Sequence, residues 1–166
     1  YSADLNGKVY AFTPFCESRT ENEGFMFWKS GYWKNNLNGK PYHISAMFLV
    51  DLNRLRAFRT TDLLRRQYQI FANDPNSLMN DDQDLPNAIQ HMAPIHPLPA
   101  NWLWCESWCA DGVEKEQAKI IDLCNNPNNK ENKLVSAKRI IPEWVRFDQQ
   151  VKNLLVNSEA NEKEDL

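Results

Sequence analysis

The apolar residues of this chain fall into short blocks with two different periods. Residues 9–12 are β-branched and aromatic and are stopped by Pro14, which predicts a short strand. Over residues 21–42, Gly24, Gly31, Gly39 and Pro41 interrupt Phe25, Phe27, Trp28, Tyr32 and Trp33, so this stretch reads as an aromatic loop region. Residues 44–52 are almost continuously apolar, the pattern of a strand covered on both faces in a parallel sheet, with Asp51 at its end as a candidate functional edge. Leu52, Leu55 and Phe58, then Leu63, Leu64, Gln67, Tyr68 and Phe71, recur at helical spacing. Thr61 or Asp62 is placed to cap the second of these helices, and Asp74-Pro75 to stop it. A turn-rich stretch then leads into a short helix over residues 85–91, with Pro86 in its first turn. Trp102 and Trp104 alternate with Leu103 and Cys105 as on a strand, and Pro142 opens an amphipathic helix with Trp144, Phe147, Val151, Leu154 and Leu155 on one face. Beyond Asn157 the pattern turns polar, as in a mobile tail. Strands alternating with helices, without an internal repeat, predict an α/β fold.

Composition narrows the functional classes. With 166 residues, 42% hydrophobic and 25% charged, the chain is long and apolar enough to bury a core. Its net charge of -3 leaves no positive excess for nucleic-acid phosphates or anionic lipid. No apolar run approaches the roughly 20 residues that cross a bilayer, so no membrane span is expected. A chain beginning at Tyr1 is expected to be processed or excerpted. Cys16, Cys105, Cys109 and Cys124 allow two disulfides in any of three connectivities, or none. The terminal Lys163-Glu164-Asp165-Leu166 is similar to the address that retains soluble proteins in the endoplasmic reticulum, with its acidic residues exchanged, although a solvated charged tail reads the same way. No asparagine begins an Asn-x-Ser/Thr acceptor.

Two polar clusters are candidates for chemistry. In Asp81-Asp82-Gln83-Asp84-Leu85-Pro86-Asn87, the Asp84 carboxylate is placed to cap a helix by accepting from the backbone three residues on. Capping leaves the rest unexplained: Gln83 and Asn87, four apart, project from one side, and amides with carboxylates match the donors and acceptors of sugar hydroxyls. The second cluster, Asp122-Leu123-Cys124-Asn125-Asn126-Pro127, follows Ile120 and Ile121, so Asp122 stands at a strand end. It reads as an ordinary Asn-Pro turn or as an oxygen ligand for a hard cation, with Lys130 and Lys133 within reach of a diphosphate or simply solvated. A zinc site from Cys105, Cys109, Cys124 and one of His43, His91 or His96 lacks the usual close ligand pairs. Cys105 and Cys109 are also one residue too far apart for a Cys-x-x-Cys redox pair. Trp102, Trp104, Trp108 and Trp144 are expected in the core, whereas Trp28, Tyr32 and Trp33 suit either burial or the apolar face of a sugar.

Nine segments in order carry a resemblance: Thr13-Pro14-Phe15-Cys16, Phe27-Trp28-Lys29-Ser30-Gly31-Tyr32-Trp33, Tyr42-His43-Ile44-Ser45-Ala46, Gln67-Tyr68-Gln69, Asp74-Pro75-Asn76-Ser77-Leu78, Asp82-Gln83-Asp84-Leu85-Pro86-Asn87, Trp102-Leu103-Trp104-Cys105-Glu106, Trp108-Cys109 and Ile121-Asp122-Leu123-Cys124-Asn125-Asn126-Pro127. Together they resemble the carboxy-terminal catalytic domain of the UDP-glucose:glycoprotein glucosyltransferase family. The resemblance implies the distal half of a GT-A type, Rossmann-like α/β domain over residues 1–157, followed by a polar tail over 158–166. It implies UDP-glucose as donor, a divalent cation (Ca or Mn), transfer of glucose with retention, and a high-mannose N-glycan on an incompletely folded glycoprotein as acceptor in the endoplasmic reticulum lumen.

The resemblance also distributes roles. Asp122 matches the third cation ligand. Gln83 and Asn87 match the sugar-donor site, with Asp82 and Asp84 as contacts to the glucose or supports for it. His43 and Ser45, with Lys130 and Lys133, are expected on the cofactor side. Departure of UDP builds negative charge on the diphosphate and positive charge on the ring, so a cation with lysines suits the first and carboxylates with amides the second. Substitution of Gln83 or Asn87 is expected to remove transfer with the fold intact. The family's Asp-x-Asp pair and its folding-sensor domains are expected upstream, and this chain alone is expected to be inactive. Ala88 stands where the family usually has a second Asn, and one extra residue lies between Cys109 and Asp122. A non-catalytic glycan- or chaperone-binding module on the same fold is the alternative.

Overall fold

The computed structural model describes residues 4–73 and 80–164. The segment 74–78 and the last two residues of the tail therefore lie outside the described residues. The chain forms two compact units, Tyr1–Cys124 and Asn125–Leu166.

In the first unit, β1 (Tyr10–Pro14) is the central strand of a three-stranded mixed sheet. It pairs antiparallel with β2 (His43–Val50) and parallel with β3 (Ile95–Pro97). The β1–β2 register shifts between Phe12 and Thr13, so that Phe12 faces Phe48 but Thr13 faces Ile44. Residues 45–47 are thereby left unpaired with β1, and their backbone groups are available to a third element. The expectation of a strand buried on both faces in a parallel sheet is corrected here. Among the described residues β2 is an edge strand, antiparallel to β1, with Phe48 52% exposed and stacked on Phe12 at 5.1 Å. An apolar run reports hydrophobicity; it does not report how many neighbours a strand has.

Asp51 at the end of β2 is a helix cap: its Oδ1 accepts from the Arg54 N–H at 2.9 Å and opens α2 (Leu52–Ala57). The next helix, α3 (Thr60–Phe71), starts after Arg59 in the left-handed conformation, so neither Thr61 nor Asp62 caps it. Asp62 instead pairs with Arg59 at 2.8 Å. The stretch read as an aromatic loop holds two 3-10 segments, Thr20–Phe25 and Phe27–Lys29, and α1 (Gly31–Leu37). Gly24 lies within the first 3-10 segment, Gly31 opens α1, and Asn38, with φ 48°, terminates it.

Trp33 and Leu37, four apart on α1, point into a core with Met26, Trp28, Tyr42, Phe71 and Ala88. Trp28 stacks on Tyr42 with ring centroids 5.1 Å apart. Burial therefore decides the fate of Trp28 and Trp33, while Tyr32 stays exposed. Among the four tryptophans expected inside, Trp104 is buried and Trp102, Trp108 and Trp144 are half-buried. A second core cluster joins Val9, Tyr10, Phe12, Ile89, Ala93 and Ile95. The first unit closes with β4 (Leu103–Trp104), α5 (Val113–Gln117) and β5 (Ile120–Ile121), the two strands pairing in parallel.

In the second unit α6 (Lys133–Ile140), capped by Asn132 through the Leu134 N–H at 2.9 Å, packs on α7 (Trp144–Glu164). Helix α7 runs on to Glu164, past the expected polar boundary at Asn157. Among the described residues, no helix is long and apolar enough to cross a membrane.

Candidate functional site

The acidic cluster forms α4 (Asp81–Ala88), which begins four residues before the predicted start and carries Pro86 inside it. Proline lacks an N–H and removes one bond of the helix interior, so side-chain bonds must hold this helix in place. Asp84 does not cap forward. It sits in the first turn, and its Oδ2 accepts from the Asn80 N–H, one turn back, at 3.1 Å. Asp81, Asp82 and Asp84 all lie in the first turn, where the exposed N–H groups favour negative charge.

Gln83 and Asn87 do share one side of the helix, and that side faces the start of β2. Asn87 Oδ1 accepts from the His43 N–H at 2.8 Å, while its Nδ2 donates to the carbonyls of His43 at 2.7 Å and Gln83 at 2.8 Å. The Asn87 amide thus behaves like a missing neighbouring strand. Gln83 Oε1 accepts from the Ser45 N–H at 3.2 Å, a donor left free by the register shift in β2. The Ser45 hydroxyl in turn donates to Asp82 Oδ2 at 2.7 Å.

Tyr42 is at the centre of the cluster. Its hydroxyl donates to Asp84 Oδ1 and accepts from Gln83 Nε2 at 3.2 Å. Burial, and then the charge of Asp84, push the phenol well above its ordinary range, which keeps the proton on the hydroxyl. Tyr42 stood in one of the segments that carry the resemblance, but no role was read for it, because its partners lie some forty residues away. Gln90 was legible but missed: with Gln83 and Asn87 it completes a 0, +4, +7 helical series, and its Nε2 donates to Pro41 O at 2.9 Å and Asn87 Oδ1 at 3.0 Å.

His43 is buried and neutral, its pKa lowered to about 4 by burial. Asn87 and the Pro41 carbonyl lie near the ring and oppose that shift, but neither ring nitrogen makes a hydrogen bond of normal geometry. The ring lines a cavity of about 270 Å³ with Lys8, Lys40, Gln90 and Ile95. Of the four residues placed at the donor sugar, Asp84 and Asn87 are 0% and 1% exposed, Gln83 is buried, and Asp82 alone is exposed. The donors and acceptor of Asn87 are all spent inside the protein, which argues against the expectation that it can be replaced with the fold intact.

Asp122 follows β5, and its N–H donates to Trp104 O at 2.9 Å, extending the strand pairing by one residue. Its carboxylate is half-buried and lies 2.8 Å from the Cys124 sulfur. Cys105 and Cys124 form a disulfide, which ties the turn after Asp122 to the end of β4. The bond removes both sulfurs from the zinc reading and Cys105 from the redox reading, because a cystine sulfur is neither a thiolate ligand nor a nucleophile. Lys130 and Lys133 are exposed and belong to the second unit, Lys133 as the first residue of α6.

The fold and site together define a mixed α/β domain with a buried amide-carboxylate lattice and a carboxylate at the end of a parallel strand. The chain belongs to the glucosyltransferase 24 family, whose pattern matches residues 1–154. It is 54% identical over 162 residues to the UDP-glucose:glycoprotein glucosyltransferase of Drosophila melanogaster, covering 98% of this chain and 10% of that protein. It is 55% identical over 153 residues to UDP-glucose:glycoprotein glucosyltransferase 1 of Homo sapiens, covering 92% of this chain and 10% of that protein. A probable UDP-glucose:glycoprotein glucosyltransferase A of Dictyostelium discoideum is 53% identical over 152 residues, again 92% of this chain and 9% of that protein. The chain thus spans about a tenth of the curated relatives it matches.

Proposed function

We propose that this chain is the distal part of a GT-A type catalytic domain that moves glucose from UDP-glucose, with retention, to high-mannose N-glycans of incompletely folded glycoproteins in the endoplasmic reticulum lumen. The observation that carries the reading is identity above 50% along nearly the whole chain to proteins named for that donor and that class of acceptor. The parallel pairs β1–β3 and β4–β5 are in keeping with a Rossmann-like sheet.

Within this reading, Asp82 is the exposed one among Asp82, Gln83, Asp84 and Asn87, and it is the proposed contact to the donor sugar. Gln83, Asp84, Asn87 and Tyr42 hold it and the start of β2 in place. A divalent cation takes about six oxygen ligands, and the residues grouped with Asp122 are two cystine sulfurs. Among the described residues, none adds a second carboxylate oxygen beside Asp122. Asp122 is proposed as one ligand of a site completed by an acidic pair upstream in the parent protein, and the 166 residues alone are expected to be inactive. Lys130 and Lys133 are the proposed diphosphate contacts, and the Lys163–Leu166 tail the proposed retention signal.

The test is glucose transfer from UDP-glucose to a denatured N-glycoprotein by the full-length parent. Asp122→Ala is expected to lower transfer by about 100-fold or more with thermal unfolding unchanged. Full transfer by the variant removes Asp122 from the site. Glycoprotein binding without any transfer by the unsubstituted parent establishes the binding-module alternative instead.

A further inference from the structure

The two cysteines outside the Cys105–Cys124 bond are not scattered. Cys16 follows β1 and is half-buried; Cys109 follows β4 by one turn and is buried. Their sulfurs and a Glu114 carboxylate oxygen all lie within 4.8 Å of one another. The backbones that carry them are already fastened together. The Arg19 N–H donates to Trp108 O at 3.1 Å and Arg19 Nε to Cys109 O at 3.1 Å, while the Ala110 N–H donates to Ser18 Oγ at 2.8 Å. Bonding the two sulfurs at about 2.05 Å therefore asks for side-chain movement more than for a rearranged chain.

We propose that Cys16 and Cys109 form a second disulfide of this domain, closed by a low-molecular-weight or protein disulfide as oxidant. The neighbouring Cys105 is already in a disulfide, and Cys109 is bonded to it through the backbone at 2.9 Å, so both pairs experience the same oxidising surroundings. The Cys16 thiol is the one suited to start the exchange. A hydrogen bond from Cys109 outweighs burial and holds its pKa at about 7, below the ordinary thiol value, whereas the Cys109 thiol is pushed up. The Cys16 thiolate attacks one sulfur of the oxidant, expels a thiolate and is left as a mixed disulfide. Cys109 then attacks the Cys16 sulfur and expels the second thiolate. Two electrons pass to the oxidant, and the two protons of Cys16 and Cys109 end on its two thiols.

Closure braces a wall of the aromatic core. Phe15, next to Cys16, packs on Trp28 at 4.2 Å and on Trp108, next to Cys109, at 5.3 Å, and Trp28 stacks on the Tyr42 that bonds Asp84.

The test is peptide mapping of the full-length parent made in a secretory compartment, denatured in iodoacetamide without reductant. The expected result is a peptide containing Cys16 joined to one containing Cys109, two hydrogens lighter than the separate reduced peptides, with neither cysteine alkylated. The Cys16→Ser variant should leave Cys109 as an alkylated thiol. Alkylation of both cysteines after equilibration with oxidised glutathione overturns the proposal. So does a cross-link from either one to Cys105 or Cys124, or stoichiometric zinc released when the thiols are modified.

Discussion

At the α4–β2 corner the polar side chains are consumed by the fold, whereas at the end of β5 the fold is held by a backbone bond and a disulfide. Asn87 and Gln83 supply the hydrogen bonds that the start of β2 would otherwise lack, and Asp84 fastens Asn80 and Tyr42. Asp122 sits in a turn already fixed by the Trp104 carbonyl and the Cys105–Cys124 bond. Two acidic-amide motifs of similar appearance are thus expected to differ in their cost of replacement. A polar residue in a candidate site must be asked what it already holds before it is asked what it binds.

The sharpest way to break this comparison is Asn87→Ala in the full-length parent. The change leaves the His43 N–H and C=O without partners in a buried place, at roughly 1–3 kcal/mol for each group. A loss of about 3 kcal/mol or more in chemical denaturation is expected, with transfer falling in step with the folded fraction. Unchanged stability would mean that α4 docks on β2 by its apolar residues alone.

Acid should weaken the same corner next. The unfolded chain protonates its histidines near pH 6.5, while buried His43 takes up a proton only at about 4. Between those values the unfolded state binds more protons, so stability is full above about pH 6.5 and falls as pH drops toward 4, by about 3 kcal/mol at most. Denaturation midpoints measured from pH 7 to pH 4 should show that slope, and His43→Leu should flatten it. A slope that persists in the variant would assign it to other groups.

Much of the corner was legible in the sequence, but not its partners. The four-residue spacing of Gln83 and Asn87 placed both amides on one side of a helix, and that side exists. Which backbone they meet depends on the β1–β2 register shift, a pairing between residues some thirty positions apart that local pattern does not encode. Proline is at home in a first turn, which predicts a helix start four residues later than the one observed, whereas Pro86 lies in an interior whose lost bond other contacts replace. Asp51 was open to the same capping logic applied to Asp84, and the structure gives the cap to Asp51. Four cysteines allowed three pairings, and only the meeting of β4 with β5 selects Cys105–Cys124.

The smallest stability effect belongs to Asp82, and it separates holding from binding within one helix. Asp82 is exposed, and its partner is the Ser45 hydroxyl at 2.7 Å, which water can satisfy once the carboxylate is gone. It also contributes negative charge to the first turn of α4, a favourable placement worth roughly 0.3–1 kcal/mol at the surface. Asp82→Ala should therefore cost no more than about 1 kcal/mol by chemical denaturation. In the full-length parent the same substitution should lower glucose transfer by at least about tenfold if Asp82 stabilises charge developing on the donor sugar. Ser45→Ala provides the control: it removes the hydroxyl that orients Asp82 but leaves the Ser45 N–H bond to Gln83, so it should give a smaller loss of transfer in the same direction. A stability loss at Asp82 equal to that at Asn87 would make the whole first turn of α4 structural and move the sugar contact elsewhere.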